Sequence, residues 1–235
     1  MLPIAILAAW LRFGDLARLP LSAAEATAAL ANWQFWSAAP LDVAVSSPAY
    51  FAFTHLVMSL GASGDVAARL VPAVFGLLTV LLVWLLRGRA HPVAWLTAGL
   101  FLAVSPLLVA VSRTSGGDAI ALFALLLIVV AWVNGGRRSA LLIGAGLGLG
   151  LASAPLFYTG LVGLALAGLA GLAGGEERNL DRLRYMAIAA AITFVAVSTS
   201  FLLYPAGLGA ALRIFPTWLG QFALPASAGA AVSPL

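Results

Sequence analysis

The stretch VPAVFGLLTVLLVWLL (71–86) carries no charged side chain, and similar apolar runs recur along the chain. Strands of a membrane barrel alternate apolar and polar residues, and this run does not. It must therefore satisfy its backbone hydrogen bonds within itself, as a helix. The composition points the same way. Of 235 residues, 63% are hydrophobic and 9% are charged, whereas soluble domains carry roughly 25% charge. The sequence predicts an integral membrane protein of the all-α class, a polytopic transmembrane helix bundle.

Seven spans are expected. The first, from Met1 to Arg12, would cover only about 17 Å as a helix against a hydrocarbon core of roughly 30 Å, and reads as a short first span. The others fall near 67–86, 93–111, 118–134, 139–153, 156–173 and 185–204. They form one transmembrane domain, 1–235, with a long loop over 13–65 and a tail over 205–235.

Orientation follows from arginine, because the chain has no lysine. Arg87 and Arg89, then Arg137 and Arg138, then Arg178, Arg182 and Arg184 occupy alternate loops. The positive-inside rule puts those loops and the N-terminus in the cytoplasm, and puts 13–65 and the tail outside.

Two segments of the outer loop, 22–36 and 47–61, are expected as helices lying along the outer surface, half in the lipid boundary. In the tail, Leu208, Leu212, Phe215, Leu219 and Phe222 recur at helical spacing. Pro216 is expected to split them into an interfacial helix pair. Gly144, Gly146, Gly148 and Gly150 match no complete dinucleotide fingerprint. Within a span, they suit close approach of two helices. Cysteine is absent, so no disulfide framework arises. No basic run is interleaved with aromatics, so no nucleic-acid partner is expected.

Five residues could carry chemistry. Ser22-Ala-Ala-Glu25 is a capping box, in which the serine and the glutamate satisfy each other's backbone N–H groups. Glu25 could equally accept a proton from an acceptor hydroxyl. Asp118 follows two glycines and opens a span, where the helix dipole favours a carboxylate. Arg113, at the outer end of a span, either caps that helix or binds phosphate through its planar fork. Arg69 is similar. His55 stands on an apolar helix with no second ligand at metal spacing, so no metal site is assigned.

Three stretches resemble one family. LRFGDLARLPLSAAEATAAL (11–30), SPAYFAFTHLVMSLGASGDVAARLVPAVFGLLTVLLVWLLRGR (47–89) and LAVSPLLVAVSRTSGGDAIALFALLL (102–127) are similar, in order and spacing, to the GT-C lipid-linked-sugar glycosyltransferases of the protein mannosyltransferase and aminoarabinose transferase type. The resemblance implies a GT-C-like fold in a prokaryotic plasma membrane. It implies a sugar donor on polyprenyl phosphate, an acceptor at the outer face and contact with membrane lipid. No cofactor is implied, and a divalent metal is left open.

Glu25 and Asp118 would be the catalytic acids, and Arg113 and Arg69 would bind the donor phosphate. The family's acid motif is usually an Asp-Glu pair, and Ala24 stands at its first position here. Members also run longer, which implies a fragment or a reduced relative. The alternative is a non-catalytic GT-C-like subunit acting as scaffold in a larger membrane complex with other subunits.

Overall fold

The computed structural model describes residues 1–18, 20–39, 41, 43–171 and 180–222, with backbone alone over 168–171. Every regular element among them is helical. In chain order these are α1 (Leu2–Phe13), α2 (Ala23–Trp36), α3 (Pro48–Ser59), α4 (Gly64–Leu82, prolonged by a tighter turn over Val83–Leu86), α5 (Pro92–Val104), α6 (Pro106–Arg113), α7 (Asp118–Asn134), α8 (Gly136–Leu151), α9 (Pro155–Gly171), α10 (Leu180–Ser198) and α11 (Gly207–Gly220). Proline opens α3, α5, α6 and α9. That first position needs no N–H donor, and the fixed φ of proline suits it.

Helices stand at all seven places where spans were expected. Among the described residues, length and apolarity alone qualify one of them, Gly64–Leu86, and a second if α5 and α6 are taken as one bent span. Helices α1, α7 and Pro155–Ala167 are apolar but shorter.

The expected continuous span 93–111 is broken. Helices α5 and α6 meet at 53°. Pro106 has no N–H and pushes Ser105 out of helical geometry. It thereby orphans the carbonyl of Leu102, four residues back. Arg12 from α1 fills that need, with Nη2 donating to Leu102 O at 2.9 Å and Nη1 to Ala103 O at 3.1 Å. Its side chain is buried in the bundle, and the residue is only 1% exposed.

Two other expectations are corrected. Helix α3 does not lie along the surface: Pro48, Ala49, Tyr50, Phe51, Ala52, Thr54 and Met58 are buried. Its small residues let α2 and α4 pack closely on it. The tail forms one helix through Pro216, not a pair split there. The proline side chain points outward, and the nearby Arg213 carbonyl accepts the Thr217 hydroxyl at 2.7 Å. The rest of the tail, 223–235, and Arg178 lie outside the described residues.

Alternate turns gather at opposite ends of the bundle. At one end Ala49 N–H donates to Ala152 O at 2.9 Å. Gly117 lies against Ser47 and Ser153 there. The Tyr204 ring meets Phe35 and Phe51 with centroids 5.5 and 5.4 Å apart. At the other end Arg89 Nη2 donates to Asn134 O at 2.8 Å, and Arg137 stacks over Tyr185 at 4.3 Å.

The glycines of α8 pack as their spacing suggests. A Cβ on Gly144 would collide with the Met186 carbonyl oxygen, and one on Gly148 with that of Ala190, both on α10. Gly146 faces Ile128 and Ala124 of α7. The seam thus needs hydrogen at these positions. Gly144→Ala and Gly148→Ala are each expected to destabilise by about 1–3 kcal/mol, seen as a lower melting temperature in detergent. Gly163→Ala, where a Cβ meets nothing within 4 Å, should leave it unchanged.

Candidate functional site

Between α1 and α2 the described residues 14–18 and 20–22 form no regular element and make only isolated turn hydrogen bonds. Two arginines hold its carbonyls. Arg113, the last residue of α6, donates through Nη1 to Leu11 O at 3.0 Å and Gly14 O at 2.6 Å, and through Nη2 to Asp15 O at 3.1 Å. These are end-of-helix carbonyls of α1 and the turn beyond it, which have no helical donors. Arg69, near the start of α4, donates through Nη1 to Leu16 O at 2.8 Å and through Nη2 to Pro20 O at 3.2 Å.

The same Arg69 grips Glu25. Its Nε reaches Oε1 and its Nη2 reaches Oε2, both at 3.0 Å, the two-pronged geometry in which guanidinium and carboxylate match best. Both residues are buried. The remaining acceptor positions of Glu25 are also filled. Oε2 accepts from Ser22 N–H at 3.0 Å, and Oε1 accepts from Ser115 N–H at 3.0 Å. Ser22 Oγ accepts from Glu25 N–H at 3.4 Å, so the capping box is present.

Glu25 is therefore a helix cap and also an ion-pair partner. The bond from Ser115 ties the first long loop to the turn that carries Arg113 and Asp118. The Arg69 fork, helped by the Ser22 and Ser115 donors and opposed by burial, holds the Glu25 carboxyl down at about 2, against an ordinary 4.5. At neutral pH Glu25 is ionised and is a very weak base.

Asp118 differs. It opens α7 as an exposed residue and, among the described residues, has no hydrogen-bond or ion-pair partner. Gly117 before it touches Ser47 and the Ser153 carbonyl. Asp118 thus begins its helix next to the point where three turns meet. His55 stays apart from this arrangement. Its ring packs edge-on against Phe35 at 4.9 Å, and burial lowers its proton affinity. Among the described residues no three His, Asp or Glu side chains cluster as metal ligands.

Sequence reasoning missed Arg12. The available signal was an arginine ending an apolar run too short to span, facing a proline-broken helix. It also missed Arg213 on α11, which is exposed and has no hydrogen-bond or ion-pair partner for its guanidinium among the described residues.

Comparison with known proteins agrees with this architecture. The family model described as dolichyl-phosphate-mannose-protein mannosyltransferase matches residues 45–211, well over half of the chain. The chain belongs to that family of membrane glycosyltransferases of the GT-C type. Arg69, Arg113, Asp118 and His55 lie inside the match, and Glu25 and Arg213 lie outside it. No curated protein and no solved structure matches the chain.

The locked carboxylate has consequences for stability. An amide at position 25 would turn an NH2 group toward two N–H donors in either orientation and remove the negative charge that faces the Arg69 guanidinium. Glu25→Gln is expected to cost about 3 kcal/mol or more, as for other broken buried pairs, and to lower the melting temperature in detergent. Because the folded-state proton affinity of Glu25 is depressed, its stabilisation is complete above pH 4.5 and is lost as pH falls toward 2. A wild-type melting profile should show that loss, and the Glu25→Gln profile should lack it.

Proposed function

We propose that this family member moves a sugar from a polyprenyl-phosphate donor to an acceptor hydroxyl at the outer membrane face. The bundle would cross the membrane seven times with its N-terminus in the cytoplasm. The clustering of Arg89, Arg137 and Arg182 around one set of turns supports that orientation, because arginine favours the cytoplasmic side. The Glu25 and Asp118 end would then face outside.

One observation carries the assignment of roles: Asp118, an exposed residue whose carboxylate has no partner among the described residues, stands three residues beyond Ser115, which Glu25 holds. Asp118 takes the proton of the acceptor hydroxyl. The acceptor oxygen bonds to the anomeric carbon of the sugar as the bond from that carbon to the phosphate oxygen breaks. The electron pair leaves with the lipid phosphate.

Glu25 contributes by position: it sets the turn from which Asp118 starts and orients the acceptor side of the site. Arg69 and Arg113 place positive charge in the same layer, where it favours the departing phosphate. Both guanidinium groups donate to backbone carbonyls, and that of Arg69 donates to Glu25 as well. His55 takes no part.

The test is transfer by the purified full chain with a polyprenyl-phosphate sugar and an acceptor peptide or lipid. Asp118→Asn is expected to lower kcat by about 100-fold or more, the usual scale for removing a general base, with an unchanged melting temperature. Wild-type turnover in Asp118→Asn would reject the base assignment. Absence of transfer by the wild-type chain with any such donor would favour the scaffold role.

A further inference from the structure

A cavity of about 550 Å³ lies beside this site, between the loop that precedes α3 and helix α11. Val45 and Pro155 give it an aliphatic wall, and Ser46, Tyr204, Arg213 and Thr217 give it hydroxyls and one guanidinium. Its size is that of a small-ligand pocket. It adjoins Asp118 through its own lining. Ser46 is bonded to Ser47 and Pro155 lies two residues beyond Ser153, and Ser47 and the Ser153 carbonyl both lie against Gly117.

Arg69 and Arg113 are engaged with protein carbonyls, and Arg12 is sealed in the bundle against Leu102 and Ala103. Arg213 is in none of these positions. It lines the cavity, is exposed, and has no hydrogen-bond or ion-pair partner among the described residues. An uncommitted guanidinium beside hydroxyls suits a phosphate group, and the aliphatic wall suits a hydrocarbon chain.

We infer that this cavity receives the phosphate end of the isoprenoid-linked donor and that Arg213 binds that phosphate, an inference resting on the transferase reading above. Arg213 comes from the last described helix, far along the chain from Asp118. The donor would lie between them, its phosphate on α11 and its sugar toward α7.

The experiment measures binding to the purified full chain in detergent, so it needs no turnover. The probes are a long-chain polyprenyl monophosphate, the corresponding polyprenol, and inorganic phosphate. The proteins are wild type, Arg213→Gln, and Arg87→Gln at the opposite end of the bundle. Polyprenyl phosphate should bind wild type and Arg87→Gln alike, and bind Arg213→Gln about 10-fold more weakly, as expected for loss of one charge-assisted contact. The melting temperature of Arg213→Gln should be unchanged, because the side chain makes no hydrogen bond or ion pair among the described residues. Equal affinity for wild type and Arg213→Gln would overturn the inference. So would inorganic phosphate binding as tightly as the lipid, which would mark a free-phosphate site. Arg213-dependent lipid binding by a chain that performs no transfer would uphold the cavity and remove the transferase reading alone.

Discussion

Carbonyl groups at the ends of α1 and α5 have no helical donors, and an apolar bundle offers no water to serve them. Three arginines meet that need. Arg12 leaves α1 to serve the carbonyls freed by Pro106, and Arg113 leaves α6 to serve the end of α1. Helix α1 thus secures the end of α5, and α6 secures the end of α1. Arg69 extends the same device to Leu16 and Pro20, and then to Glu25. Arginine suits the work because its planar fork offers five donors in fixed directions and remains charged when buried.

Function grows out of this bracing. The loop after α1 has little internal structure, so its path is set by what holds its carbonyls. Once Arg69 and Arg113 hold it, Glu25 falls within reach of Ser115, and the turn before α7 is drawn to the same place. A carboxylate so thoroughly bonded is suited to hold geometry and poorly suited to accept a proton. Asp118 is exposed and has no partner among the described residues, so the proposed mechanism gives the two acids different roles. The same contrast separates Arg213 from the three bracing arginines.

Much of the helical framework was legible because its signals are local. Gly64–Leu86 is continuous and apolar, the Ser22–Glu25 capping box is a four-residue pattern, and Gly144 and Gly148 of α8 stand about one turn apart. The break at Ser105 could have been read from Pro106, but apolarity on both sides masked it. The burial of α3 was hidden for a related reason: an apolar helix reads alike whether its neighbour is lipid or protein. Pro216 misled in the other direction, since a proline facing outward costs a helix less than one in a packed core.

What the sequence determined by itself was the class of solvent and the kind of element: helices in a membrane, their approximate places, their charge asymmetry and the local cap at Glu25. Tertiary structure alone decided which charges are free. Whether Glu25, Arg69, Arg113, Asp118 or Arg213 can act on a substrate depends on partners 44 to 102 residues away for the bonded ones, and for Asp118 and Arg213 on having no partner among the described residues. Side-chain hydrogen bonds of that range leave no periodic trace along a chain, because they are set by where helices cross and not by what each helix is made of.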